Sequence, residues 1–548
     1  MENTVKDAAG RNARFFMEAP DPIQLALTLT DGTVRVFWHT LPESEEAAVA
    51  FTEAVGNLLA CSGGQKLAVY HGKSETVRRR LADADGLIRA EKGCARAIRV
   101  ADRINAALGL PPFSVEIADA PVPEPVKKQE LQQKPLAGKL RAAAELCLKG
   151  IRLGIDVGGT DIKAVAFRDG KLSAVKEFDW APAEYGTPEE ISGPIVLIAK
   201  LLIAAAAFPN VPAYMHAALR KEASLKEMAD AVRRAGSGLL CDSIGLSYPD
   251  VIIRDRIVGG ETPKTKGLLL HDPVHYEEAL QKLASLRDEL ARLLRKNGTL
   301  HLANDGNIAA YTAAAELSFC GDAAEIDRGV FAHSLGTDLG TGVLLGNGTF
   351  PEAPLELYTI RTGTEDEDAL ARPPEDVRSA RTVHSGLRGA ERRVGQAAAF
   401  RYAFAFAPRL LAGYTEEKGG IVSVITAPED KRKALLEHLM AHADAGESDA
   451  EEIFIQIGRA LADITVEAEA ILRTGIQKRF LFGRFVKRAH VFRLIEKGFC
   501  ERCPGIRLTA ADSALTKSPL MRALSENGDV TVAQFGQAVG AVYFGADS

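Results

Sequence analysis

The sequence predicts an α/β protein, and three observations carry that prediction. From Ile151 onward, short apolar runs alternate with longer helical patterns, as expected where helices cover a sheet. Two glycine- and threonine-rich turns, Val157–Asp161 and Leu335–Gly342, each lie between apolar runs of strand length. A stretch rich in Pro, Lys and Gln at 119–138, DAPVPEPVKKQELQQKPLAG, sets residues 1–118 apart as a further α/β segment. Such a composition resists helix and sheet and reads as an extended linker.

The chain has 548 residues, long enough for three to four domains at roughly 150 residues each. Apolar residues make up 46% and charged residues 26%, so ordinary cores can form without disulfide or metal staples. The net charge of -6 argues against a nucleic-acid coat or a polybasic membrane binder. Seven cysteines at irregular spacing point to a reducing compartment. Cys500 and Cys503 form a C-x-x-C, but no second pair completes a zinc set, and incidental thiols are expected. The polar N-terminus MENTVKDAAGRNARFF lacks the apolar core of a signal peptide. The most apolar stretch, Ile195 to Phe208, contains Lys200 and falls short of the roughly 20 residues that span a bilayer. It reads as a buried helix, and the expected location is the cytoplasm.

The elements follow in order. Ile23–Thr30 and Thr33–His39 flank Asp31-Gly32, a hairpin signal. Ser44–Cys61 is apolar at helical spacing, with Ser44 as candidate cap. Lys66–Tyr70 is a short strand, Ser74–Leu108 is helical with a break near Gly93, and Phe113–Ile117 is a closing strand. Arg78, Arg79 and Arg80 read as a solvated helix face, since a leading hairpin is wrong for a helix-turn-helix. Strands are then expected at Ile151–Val157, Ala164–Phe167, Ile244–Ser247, Leu300–Ala303, Val330–Leu335 and Phe480–Phe482. Helices are expected at 188–207, 218–235, 276–296, across much of 386–474, and at 531–544.

Three motifs carry chemistry. In Gly154-Ile-Asp156-Val-Gly158-Gly159-Thr160-Asp-Ile-Lys163, a strand delivers an Asp to a Gly-Gly-Thr turn, and a second strand leaves. Glycines let backbone N–H groups approach phosphate oxygens, and Asp156 stands where it could hold Mg²⁺. The plain alternative is a hairpin with no ligand. Ser334–Gly348, SLGTDLGTGVLLGNG, is again strand, Gly/Thr turn, strand. Closely spaced glycines build poor strands but suit close approach to a ligand; a bulged hairpin is the alternative. In Asn304-Asp305-Gly306-Asn307 a strand runs into a helix. A carboxylate there lies at the end of a sheet, where ligands collect, or is simply part of a helix cap.

These motifs, in this order, resemble the ROK family (repressors, open reading frames and sugar kinases) of the actin-like ATPase superfamily. DVGGTDIK is similar to its first phosphate hairpin, HLANDGNIAA to its N-D-x-N-A-A segment and GTDLGTGVLLGNG to its second phosphate hairpin. Ile244–Pro249 is similar to the strand before its sugar-binding loop, Leu481–Phe485 weakly to its adenosine-side turn, and Phe535–Ala541 to its C-terminal helix. The resemblance covers roughly 151–350 well and 475–545 loosely, and leaves 1–150 and about 360–470 without a counterpart.

The resemblance implies a two-lobed actin-like ATPase (ribonuclease H-like) core with an extra N-terminal α/β domain. Its first lobe would be 139–310, and its second 311–548 with a helical insertion near 360–470. It implies an ATP- and Mg²⁺-dependent kinase acting on a sugar-like small molecule, with no membrane or nucleic-acid partner; a homo-oligomer is left open. Asp305 would be the catalytic base. Gly158, Gly159, Thr160 and Lys163 would lie at the phosphates, faced by Gly336, Thr337, Gly340 and Gly342. Gly483 would lie at the adenosine, Asp156 would hold Mg²⁺, and Asn304 and Glu356 would contact the substrate. The chain departs from the family pattern in places. Asp338 and Thr341 replace glycines, Arg484 replaces the second glycine near 483, the Cys-rich zinc loop is absent, and no His follows Glu356 closely. The altered second hairpin and the incomplete sugar clamp favour a rival reading, in which the same core is a non-enzymatic sugar or nucleotide sensor, whereas Asp305 and the first hairpin favour the kinase.

Overall fold

The computed structural model describes residues 22–124, 135–260, 265–320, 323–336, 339–362, 389–511, 516–528 and 530–547. The loop at 261–264, Thr337, Asp338 and the acidic run 365–368 lie outside these. The chain divides into two compact units. One comprises 1–130, 333–341 and 352–510; the other comprises 131–332, 342–351 and 511–548.

In the first unit, β1 (Ile23–Thr28), β2 (Val34–His39), β3 (Lys66–Tyr70) and β4 (Ser114–Ile117) form a sheet in the order β2-β1-β3-β4. The β1/β2 hairpin closes on Asp31-Gly32 as expected. Gly32 takes φ 81°, and the Asp31 carboxylate accepts from the Thr33 N–H at 2.8 Å. The helical stretch expected after β3 has its expected break, at Glu91 close to Gly93, and a second one at 81–83, giving Glu75–Arg80, Ala84–Ala90 and Lys92–Ala107. Caps intervene: Asp83 accepts from Gly86 N–H and Glu91 from Cys94 N–H, and local side-chain acceptors of this kind restart helices.

The second unit holds the five-stranded sheet that carries the Asp156 and Asp305 motifs. Its strands are β5 (Ile151–Val157), β6 (Asp161–Arg168), β7 (Lys171–Asp179), β8 (Cys241–Tyr248) and, after the two-residue strands β9 (Ile252–Ile253) and β10 (Arg256–Ile257), β11 (Leu294–Asn304). The order is β11-β8-β5-β6-β7. β5, β6 and β7 are antiparallel neighbours, whereas β8 and β11 run parallel to β5. The expected helix 276–296 ends early. Tyr276–Leu283 and Leu286–Ala291 are helical, and β11 begins at Leu294 with a register shift before Thr299. Strand β7 has no apolar run strong enough to mark it, because its positions alternate between buried and half-exposed.

Strand periodicity of two assigns the faces. Leu153, Ile155 and Val157 point into the core shared with the helix Pro188–Ala207. At 20 residues that helix is long and apolar enough to cross a membrane by length and composition, but it packs on β5, β6 and β7, which accounts for its apolarity. Gly154 and Asp156 face the other way, beneath the C-terminal helix Val532–Gly545. There is no room for side chains at the crossing. A Cβ on Gly154 would lie 1.9 Å from the Ala538 carbonyl oxygen, and one on Gly245 would lie 1.7 Å from that of Ala541. The glycines of these two strands are therefore a packing requirement.

A further sheet contains β12 (Gly329–Leu335), β13 (Leu339–Leu345), β16 (Lys478–Gly483) and β17 (Arg507–Ala510), in the order β13-β12-β16-β17. This repeats the order β6-β5-β8-β11 without the outer strand. The hairpin of β14 (Thr415–Lys418) and β15 (Ile421–Val424) interrupts the segment expected to be helical. The remainder of that segment includes the helices Gln396–Phe406, Arg432–Asp444 and Ser448–Leu472.

Candidate active site

Parallel pairing brings the C-terminal ends of β5, β8 and β11 together, and the expected residues lie there. Asp156 is the register partner of Ser247, and Ser247 of Ala303. The Ser247 hydroxyl donates to Asp156 Oδ1 at 2.7 Å. Gln537, from the C-terminal helix, donates to Ser247 Oγ at 3.2 Å and to the Asp305 carbonyl oxygen at 2.8 Å. One amide thus links Ser247, itself bonded to Asp156, with the backbone of Asp305. Burial pushes the Asp156 carboxyl up to about 7; the Ser247 hydrogen bond pulls it down, the nearby Asp305 charge raises it, Lys163 lowers it and Asp161 raises it.

Asp305 opens the helix Asp305–Ser318, and its Oδ1 accepts from the Gly306 N–H at 2.9 Å. Asn304 is the N-cap. Its Oδ1 also accepts from Gly306 N–H at 2.9 Å, and its Nδ2 donates to the Asp250 carbonyl at 2.9 Å. Both ends of the Asn304 amide are thus committed to the backbone, which is the capping alternative for that residue. Asp250 in turn closes the loop after Pro249, accepting from the Val251 N–H at 2.8 Å and from the Gly260 N–H.

In the first turn the Gly158 N–H and the Gly158 and Thr160 carbonyls are engaged. Gly158 N–H donates to the Asp161 carbonyl at 2.7 Å. The Gly158 carbonyl accepts from the Trp180 indole at 3.0 Å, and the Thr160 carbonyl accepts from the Trp180 backbone N–H at 3.1 Å. Gly159 and Thr160 are exposed, and their amides have no acceptor among the described residues. Successive free amides can bind an anion where they form a concave nest. Lys163 lies beside the turn, its Nζ 2.6 Å from Asp161 Oδ1.

The second hairpin is described on its own terms. Gly336 has open space where a Cβ would stand, and its carbonyl accepts from Gln396 N–H at 3.0 Å. A Cβ on Gly340 would meet only Ser334, its Cβ at 3.3 Å and its carbonyl oxygen at 3.9 Å. Thr337 lies outside the described residues. Gly342 has a packing reason to be glycine: a Cβ there would lie 1.8 Å from the Gly306 carbonyl oxygen, and the adjacent Val343 N–H donates to Asn307 Oδ1 at 3.0 Å. Gly483, at φ 108°, leaves a Cβ no room against the Leu335 carbonyl oxygen, 2.2 Å away. Thr341, where the ROK pattern has glycine, is buried and its hydroxyl has no partner among the described residues.

Glu356, expected to contact substrate, is buried in an ion pair with Arg96 at 2.7 Å, and the same guanidinium lies 2.6 Å from the Tyr358 hydroxyl. Sequence reasoning missed this because Arg96 is 260 residues away, in a helix with no recognisable motif. Ser247, Gln537 and Trp180 were missed as well. Ser247 could have been found from its strand alternation with Gly245; the other two had no local signal. All seven cysteines are free, and the described residues contain no cluster of three or more His, Cys, Asp or Glu able to hold a metal.

An antiparallel three-strand meander extended by two parallel strands, with a second sheet repeating the order, makes this a mixed α/β protein with two like-ordered sheets. No family model and no curated protein matches the chain. Among solved structures, the chain is similar to a ROK family glucokinase from Streptomyces griseus, solved with glucose and AMPPNP, at 18% identity over 73% of this chain and 100% of that one, TM-score 0.41. It is similar to a ROK hexokinase from Thermus thermophilus at 18% identity over 68% and 98%, TM-score 0.36. It is also similar to a ROK family transcriptional regulator, a homologue of the Escherichia coli MLC protein, at 13% identity over 72% and 81%, TM-score 0.39.

Proposed function

We propose that the protein is an ATP-dependent phosphotransferase acting on a hydroxyl of a sugar or sugar-like small molecule. The observation that carries this reading is the meeting of Asp305, Asp156 and a turn with free amides at the ends of three strands. Asp305 accepts the proton of the substrate hydroxyl as its oxygen bonds to the γ-phosphorus. The bond from that phosphorus to the β–γ bridging oxygen breaks, and ADP leaves. Transfers of this kind depend mainly on positioning and charge neutralisation. Gly159 and Thr160 supply amides to phosphate oxygens, and Lys163 adds a positive charge.

The donor chemistry fits Mg²⁺. Asp156 offers a hard carboxylate oxygen, and Mg²⁺ commonly takes one or two carboxylates plus phosphate and water oxygens. Bound there, the ion would neutralise charge on the transferring phosphoryl group.

Two observations favour a second reading, a sugar or nucleotide sensor without turnover. Glu356 is closed off by Arg96, and Thr341 places a buried side chain in the second hairpin. A thermal-shift panel with Mg·ATP and sugars, followed by ADP release, separates the two. Turnover on any sugar supports the kinase. Binding without turnover supports the sensor, and no binding of nucleotide or sugar discards both.

A further inference from the structure

The first turn is closed within itself by one backbone bond, Gly158 N–H to the Asp161 carbonyl at 2.7 Å. A Gly-Gly-Thr turn has many backbone conformations open to it, and only some aim its amides outward. What selects one is Trp180, the residue immediately after β7. Its indole N–H is bonded to the Gly158 carbonyl at 3.0 Å and its backbone N–H to the Thr160 carbonyl at 3.1 Å. These contacts grip the turn at both ends. The ring is buried, and Tyr185 packs edge-on against it at 6.0 Å between centroids. With two carbonyls so engaged, the amides of Gly159 and Thr160, both exposed residues, have no acceptor among the described residues.

We propose that Trp180 is the positioning residue of this turn, holding its acceptors inward so that its donors are presented to a polyphosphate. The inference rests on the phosphotransferase reading for the identity of the anion, but not for the grip itself. Trp180 touches no reacting atom. Its indole is bonded to the turn directly, so it also becomes an optical reporter of the turn. Trp38 is the only other tryptophan, and Trp38→Phe leaves Trp180 as the single indole.

The test uses the full chain. Trp180→Phe keeps an aromatic ring against Tyr185 and removes one donor. A lost neutral hydrogen bond corresponds to about three- to tenfold. Amide exchange at Gly158, whose N–H closes the turn, should quicken by that factor in Trp180→Phe. The affinity for Mg·ATP should fall about three- to tenfold, and that for adenosine, which has no phosphate, should stay the same. In the Trp38→Phe protein, Mg·ATP should change the indole emission and adenosine should not. Unchanged Gly158 exchange in Trp180→Phe would overturn the positioning role, as would equal losses for Mg·ATP and adenosine. If the parent protein binds no Mg·ATP, the phosphotransferase reading falls, while Gly158 exchange still decides whether Trp180 holds the turn. Should Trp180→Phe not fold, the emission response of Trp38→Phe to Mg·ATP against adenosine decides alone.

Discussion

Asp305→Asn exchanges one carboxylate oxygen for an amide nitrogen and leaves the shape intact. The structure says what this keeps. An asparagine Oδ1 can still accept from Gly306 N–H, Asn304 still caps the helix, and Gln537 still bonds the residue 305 carbonyl. What it loses is a negative charge in the first helical turn, worth about 0.3–1 kcal/mol, so the fold should survive. It also loses the carboxylate proposed above to take the substrate proton. General-base catalysis contributes about 10²–10⁴-fold, and turnover should fall by that factor. Without the neighbouring charge, the Asp156 carboxyl should titrate below its value of about 7. The assay is ADP release on the sugar supporting the fastest parent turnover, alongside Mg·ATP binding by thermal shift. Retained binding with turnover lowered at least a hundredfold is the expected result. Turnover within twofold of the parent would refute the assignment of Asp305 as base.

Three further outcomes follow from the packing. Gly245→Ala drives a Cβ into the Ala541 carbonyl; it should cost about 3 kcal/mol in urea unfolding, and a cost under about 0.5 kcal/mol would mean that the C-terminal helix does not seat there. Glu356→Gln strips the charge from a buried pair with Arg96 and should lower stability by about 3 kcal/mol, whereas a purely sugar-binding role would leave the melting temperature in place. The Asp156 carboxyl is raised to about 7 in the folded chain, against about 3.9 unfolded. Between those values the folded state holds a proton that the unfolded state has released, so stability falls as pH rises from about 4 to 7, by at most about 4 kcal/mol. Asp156→Asn should flatten that part of a stability-against-pH profile, and an identical slope in parent and variant would contradict the shift.

Much of the site was legible because its residues announce themselves locally. Asp156 with Gly158-Gly159-Thr160 is a strand-turn-strand pattern within a few positions, and Asn304-Asp305-Gly306-Asn307 is a strand-to-helix junction. Asn304 shows the limit of such reading. The same amide suits a cap or a ligand contact, and only its bonds to Gly306 and Asp250 show that both ends are engaged. The long helix expected at 276–296 failed for a similar reason. Helical periodicity continued past Ala291, but pairing with β8 from Leu294 onward decided the backbone.

The sequence by itself determined the α/β class, the hairpin turns and the strand-to-helix junction at Asp305, because turns and caps are set by side chains a few residues apart. Only the tertiary structure decided that Ser247 bonds Asp156, that Gln537 bridges to Asp305, that Trp180 grips the first turn, and that Glu356 is paired with Arg96. Those partners lie 22 to 260 residues apart. Their meeting depends on strand order and helix packing, and no local pattern of residue types encodes it.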